Sequence, residues 1–271
     1  MTFKKVTNFV LIPQTFRAAI DSLDIGKGYL LPETWRQGRT AYGGLTAALT
    51  LAAAHQSESA QLPPLRSAQV SFIAPAIEVM TFQPVELRKG KSVVTMNVDC
   101  FSGDTLAARS SFVFARDRDS QIHHAFHHQP DVKSPTECPA IPEQGQKLMP
   151  DFARHFDIRP AGGSLPLSGA VNPELLAWAR HRDADQVHPE VALLGLADCL
   201  PPAAFTAYTT PAPISSVNWS LDFIAPVSAN GWFLLRSFSR QAGNGYSSQE
   251  MEIWDESGNL VSIGRQLVAI F

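Results

Sequence analysis

The sequence predicts an α+β fold made of two tandem copies of one unit, each a curved antiparallel sheet wrapped around a central helix. Three observations carry that reading. The stretch Ser71-Phe72-Ile73-Ala74-Pro75-Ala76 returns as Asp222-Phe223-Ile224-Ala225-Pro226-Val227, with Phe223 standing 151 residues after Phe72 (223 − 72). Gly103-Asp104-Thr105-Leu106-Ala107-Ala108 returns as Gly258-Asn259-Leu260-Val261-Ser262-Ile263, 155 residues on (258 − 103). Matches that keep their order with so little drift point to a duplicated domain. In each copy one apolar helical stretch is followed by consecutive strand-like runs, the pattern of a helix packed against a sheet.

Residues 26–41 open the first copy with a β-like segment around Tyr29, Leu30, Leu31 and Trp35. The run from Gly43 to Gln56 is rich in Ala and Leu, strong helix formers, and keeps its two glycines at the start. It is apolar almost all round, so burial on every side is expected. Strand-like runs follow at Gln69–Ile73, Thr81–Leu87, Ser92–Phe101 and Thr105–Ala115. The third alternates cleanly, with Val94, Met96, Val98 and Cys100 on one face. Residues 117–150 carry Pro130, Pro135, Pro139, Pro142 and Pro150 and read as a surface crossing between two units, 1–116 and 151–271. The second copy then repeats the order. Asp151–Arg159 and Ala177–Arg180 are β-like, Val191–Phe205 is helical, and strands are expected at Ser216–Phe223, Trp232–Arg240, Ser247–Trp254 and Leu260–Phe271.

Composition narrows the class. At 271 residues, 45% hydrophobic and 17% charged, the chain can fill two ordinary cores. A net charge of −3 gives no basic surface for nucleic acid or an anionic membrane. No apolar run approaches the ~18 residues that span a bilayer. Met1–Ile12 lacks a small-residue cleavage site and reads as part of the folded chain, not as a signal peptide. Cys100, Cys138 and Cys199 are widely spaced without a C-x-x-C, the usage of reduced thiols in a cytoplasm.

With these elements placed, several motifs together resemble a known family. They are Tyr42-Gly43-Gly44-x-x-Ala47-Ala48-Leu49, Phe72-x-x-Pro75 and Arg88-Lys89-Gly90-Lys91-Ser92 in the first copy. In the second they are Leu196-Ala197-Asp198, Ser216-Val217-Asn218-Trp219-Ser220-Leu221-Asp222-Phe223, Ile253-Trp254-Asp255-x-x-Gly258-x-Leu260-Val261 and Arg265-Gln266. Their order and spacing, over about residues 26–116 and 151–271, resemble the double-hotdog acyl-CoA thioesterases of the thioesterase II-like group. The resemblance implies a double hotdog that hydrolyses acyl-CoA to free acid and coenzyme A, with no cofactor. It also implies a water oriented by an Asp, a Thr or Ser, and a Gln, which fall on Asp198, Ser216 and Gln266. Serine stands here where threonine is commoner in that group; it keeps the hydroxyl but frees its rotamer.

Thioester hydrolysis needs a positioned water, a group to take its proton and donors for the developing oxyanion. Asp198 sits in an apolar run, Leu193-Leu194-Gly195-Leu196-Ala197-Asp198-Cys199-Leu200, where burying a carboxylate is costly unless it is paired or functional. The position 151 residues earlier is Ala47. The plainer alternative is a helix cap ahead of Pro201-Pro202. Gln266 alternates with Val268 and Ile270 and so points inward, where its amide needs a partner; a neighbouring backbone group would also serve. Ser216 opens a strand, a common place for a turn serine. Gly43 and Gly44 offer helix N-terminal N–H groups to an oxyanion, or simply permit tight packing. Asn218 and Trp219 are candidates to line the acyl pocket, although a strand aromatic is usually core.

Other signals are set aside. His123-His124-x-x-His127-His128 lies in the proline-rich crossing without a ligand pattern, so no metal is expected there. Neither a G-x-S-x-G elbow nor a nucleotide-binding glycine motif occurs. Arg88, Lys89 and Lys91 read as an exposed turn, or as contacts for coenzyme A phosphates. The alternatives to hydrolysis are acyl-CoA binding without turnover and a hotdog hydratase or dehydratase, which needs an acid–histidine pair. Open sheet edges make a homodimer or higher homo-oligomer the expected assembly.

Overall fold

Ten strands form one continuous antiparallel sheet, and two apolar helices lie side by side against it. The computed structural model describes residues 15–58, 61–228 and 230–271; the expectation for Met1–Ile12 lies outside them. In chain order the elements are α1 (Phe16–Asp21), a two-residue hairpin of β1 (Arg36–Gln37) and β2 (Thr40–Ala41), α2 (Gly43–Ser57), β3 (Leu65–Phe72), β4 (Met80–Lys89), β5 (Val93–Ser102) and β6 (Thr105–Ala115). Then follow α3 (Glu143–Gln146), β7 (Phe156–Gly163), β8 (Glu174–His181), α4 (Pro189–Ala197), β9 (Ile214–Phe223), β10 (Phe233–Gly243), β11 (Tyr246–Asp255) and β12 (Leu260–Ile270). Strand order across the sheet is β4-β5-β6-β3-β9-β12-β11-β10-β8-β7.

The duplication is written into the register at the centre. Ala68 faces Leu221 and Val70 faces Trp219, while Gln69 faces Ser220. Ala68 and Trp219, Gln69 and Ser220, and Val70 and Leu221 are each 151 residues apart, so a local twofold passes between Gln69 and Ser220. Two four-stranded sheets, β3 to β6 and β9 to β12, are joined there edge to edge.

Each helix is apolar all round because it is covered on every side, by the sheet and by the other helix. Leu45, Ala47, Ala48, Leu49 and Leu51 of α2 are fully buried, as is Leu194 of α4. Close approach depends on small residues. A Cβ on Gly195 would sit 2.6 Å from the Phe16 ring, and one on Gly44 would sit 2.7 Å from the Gly195 carbonyl oxygen. The Tyr42 hydroxyl donates to that same carbonyl at 2.9 Å. The start of α2 therefore lies against the end of α4, and its last turn lies against the start of α4, where the His55 and His188 rings are 4.3 Å apart. The helices run antiparallel, as the twofold requires.

Several elements differ from expectation. The helix expected over Val191–Phe205 ends at Ala197, and a separate 3₁₀ turn covers Ala203–Thr206. Pro201 and Pro202 remove two N–H donors and bias the residues before them away from helical angles. The strand expected from Asp151 begins at Phe156, after a 3₁₀ turn. Residues 26–41 supply only β1, β2, a 3₁₀ turn at Glu33–Trp35 and one bridge from Tyr29 to Met80. Residues 117–128 are exposed, but the crossing then docks on the outer face of the second sheet. There Val132 and Cys138 cover Trp178, Trp254 and Leu234, and the Trp178 indole N–H donates to the Lys133 carbonyl at 2.9 Å. No helix among the described residues is long and apolar enough to cross a membrane.

Candidate active site

Asp198 is the residue at which α4 stops. It has left helical angles (φ −96°, ψ 9°), so it caps the C-terminal end of α4 and not the start of a following helix. A carboxylate there meets the negative end of its own helix dipole. The start of α2 compensates from the other repeat. A Cβ on Gly43 would lie 2.6 Å from Asp198 Oδ2, and the Gly44 N–H donates to the carboxyl. Both glycines are thus needed for the helix ends to meet, and both present their N–H groups where α2 has no side-chain cap. Burial pushes the Asp198 carboxyl up to about 7, against the bonds from Gln266 and Gly44 that lower it. Ionised and protonated forms are both accessible near neutrality.

Gln266 on β12 is buried, and its side-chain nitrogen bridges the site. It donates to Asp198 Oδ1 at 3.1 Å and to Ser216 Oγ at 2.8 Å. A residue that sequence reasoning did not single out, Gln249 on β11, decides which way that amide faces. Gln249 stands directly opposite Gln266 and donates from Nε2 to Gln266 Oε1 at 2.6 Å. Its own Oε1 accepts the Ala203 N–H at 2.8 Å. With its carbonyl occupied, Gln266 turns both hydrogens to Asp198 and Ser216.

Ser216 reaches the inner face through a bulge. Leu267 pairs with Asn218 but Val268 pairs with Ser216, so Val217 is the extra residue and the alternation of β9 shifts by one. Ser216 and Trp219 thereby share the inner face, and Asn218 is exposed on the other side, opposite Ser71. The structure brings Asp198, Ser216, Gln266, Gly43 and Gly44 together; it does not bring Asn218, which corrects its expected place in the pocket. Trp219 lies in the core directly opposite Gln266, with its indole N–H unpaired among the described residues. Lys89 of the basic turn pairs with Glu58 at 2.7 Å. The four histidines of the crossing are exposed, with His127 turned to Glu252.

The twofold gives each of these residues a counterpart. Ser216 corresponds to Leu65, since Leu65 faces Phe114 as Ser216 faces Val268. By the same registers Gln266 corresponds to Phe112, and Gln249 to Met96, which faces Phe112. Counted from the helix starts, Asp198 corresponds to Ala52, and counted from the strands to Ala47; both are buried alanines. The polar set exists in one repeat.

The comparisons agree with the architecture. The family model of the acyl-CoA thioesterase N-terminal domain matches residues 31–115, and that of the acyl-CoA thioesterase C-terminal domain matches residues 135–270. Among curated proteins none matches the chain. A conserved hot dog fold protein of unknown function from Alicyclobacillus acidocaldarius superposes with a TM-score of 0.83 at 22% identity, over 94% of this chain and 97% of that one. A candidate thioesterase II from Thermobifida fusca gives 0.80 at 20% identity, over 96% and 99%. The acyl-CoA thioesterase II TesB2 from Mycobacterium marinum gives 0.69 at 21% identity, over 85% and 89%. These likenesses establish the hotdog fold, and the matched domains, which span both repeats, show that the chain belongs to the acyl-CoA thioesterase family and is a thioester hydrolase.

Proposed function

We propose that the chain hydrolyses acyl-CoA thioesters at one site, formed where α4, β9 and β12 of the second repeat meet the start of α2. The observation that carries this is the Gln266 amide, held from behind by Gln249 and donating forward to Asp198 and Ser216. Because Ser216 Oγ accepts from Gln266, its own proton is left to donate to a water. A water bound between Ser216 and Asp198 keeps a lone pair for the thioester carbon. As the C–O bond forms, Asp198 takes the water proton and negative charge moves to the carbonyl oxygen. The Gly44 N–H is taken by Asp198, so we assign the neighbouring Gly43 N–H at the start of α2 to meet that charge. Collapse of the tetrahedral intermediate breaks the C–S bond, and the proton held by Asp198 goes to the departing thiolate. The products are a carboxylic acid and free coenzyme A. A base titrating near 7 suits both transfers.

The partners of Asp198 are an amide and a backbone N–H, not the imidazole that a hydratase needs. We extend the proposal to a homo-oligomer. The outer edge of β4 is bridged at Met80 and carries exposed Val85 and Leu87, surfaces a second copy can pair with. Three buried free thiols suit a reducing cytoplasm. The test is thiol release from acyl-CoAs running from acetyl to palmitoyl, for wild type and Asp198→Asn. Hydrolysis by the wild type with a loss of about a hundredfold or more in the variant is expected. A folded wild type that cleaves none of them sinks the reading.

A further inference from the structure

At the other end of the helix pair from Asp198, the last turn of α2 meets the first turn of α4. His55, His188 and Glu190 converge there, with one ligand-capable atom of each within 4.8 Å of the others. Glu190 is oriented by Leu65, whose N–H donates to Oε1 at 2.8 Å, and Oε2 faces His188 Nδ1 at 3.9 Å. That separation is too long for a hydrogen bond. Glu190 Oε2 and His55 Nε2 are both shut off from solvent without a partner among the described residues. Two unpaired buried polar atoms in one cluster are an uncommon expense and call for a ligand. The nearby Arg66 pairs with Asp117.

We propose that His55, His188 and Glu190 bind one divalent transition-metal ion of the zinc type, clamping the helix of the first repeat to that of the second. Two imidazole nitrogens and one carboxylate oxygen are a zinc donor set with a fourth position left for water. A tetrahedral site at zinc bond lengths places ligand atoms about 3.4 Å apart. Side-chain rotation closes the present spread, since the His188 side chain is 45% exposed and has room to turn. The Leu65 N–H on the second carboxylate oxygen is the outer contact that fixes ligand direction in metal sites. Leu65 is the twofold counterpart of Ser216. The end of the helix pair that lacks the Asp–Ser–Gln set therefore holds a different chemistry in the corresponding place. His55 and His188 stand 133 residues apart (188 − 55), so no local spacing announces the site.

The experiment is titration of the tag-free, chelator-stripped full chain with Zn²⁺, and with Co²⁺ as a visible-absorption probe. One ion per chain, new visible bands with Co²⁺ and a higher melting temperature with Zn²⁺ are expected. His188→Gln and Glu190→Gln should each weaken binding at least about tenfold, a loss that even outer-contact changes cause. The melting temperature of stripped His188→Gln should stay at the wild-type value, because His188 is exposed; this separates ligand loss from misfolding. A variant with His123, His124, His127 and His128 all changed to Gln should bind as wild type does. No saturable binding, binding that survives both His188→Gln and Glu190→Gln, or binding lost only in the four-histidine variant would each overturn the assignment. Thioester hydrolysis by stripped His188→Gln should be unchanged, so this site and the catalytic one fail independently.

Discussion

The two repeats share a scaffold and differ along one line of side chains. Across β3, β6 and β5 the inner positions are Leu65, Phe112 and Met96, all fully buried. Across β9, β12 and β11 the same positions are Ser216, Gln266 and Gln249, joined by hydrogen bonds that end on Asp198. The apolar line does what a core does, each large side chain contributing a few kcal/mol against truncation. The polar line burdens the fold unless every member is satisfied. Its presence in one repeat alone is the basis for the proposed location of the chemistry, and the other repeat shows the same scaffold without it.

The contrast can be broken from either side. The largest effect is expected from making the second repeat resemble the first at its centre. Gln266→Leu removes both forward donors and strands Gln249, so kcat should fall about a hundredfold, measured by thiol release. Gln249→Met should cut kcat less, about tenfold, with KM held, because it loosens the amide without removing it. Next, Ser216→Ala should lower kcat by about tenfold, the order expected of one lost water-orienting hydrogen bond. Ser216→Thr, which keeps the hydroxyl and stiffens it, should stay within a few-fold of wild type. The smallest effect concerns stability. The folded-state carboxyl of Asp198 titrates at about 7 against an ordinary 3.8, so the fold prefers it protonated. That preference stabilises fully below about pH 4 and is lost progressively as pH rises to about 7. Asp198→Asn should therefore match wild type in melting temperature at pH 4 and exceed it by a few degrees at pH 8.

Much of this was legible in the chain. The repeated Phe-Ile-Ala-Pro stretches placed the twofold, and the all-apolar run after Gly43 placed α2. Strand alternation put Gln266 inward without knowledge of its partners. Ser216 and Asn218 show where reading stops. Two residues apart, they belong on one face of an unbroken strand, and a bulge at Val217 separates them; a bulge is a property of register between strands, not of local sequence. Gln249 sits in an alternating row with buried Ser247 and Met251, but a strand glutamine is usually solvated, and only the facing Gln266 gives it meaning. The early end of α4 was readable from Pro201-Pro202, whose effect on the preceding residues outweighed the alanines and leucines around them.

The central claim is that one carboxylate in the second repeat activates the water. The most direct measurement is kcat/KM for the best acyl-CoA substrate against pH, for wild type and Asp198→Asn. Wild type should rise through an apparent pKa of about 7 to a plateau as Asp198 ionises. The variant should lack that limb and lie about a hundredfold or more below it at pH 8. An Asp198→Asn enzyme of near wild-type rate, with the same rise through neutrality, would contradict the account.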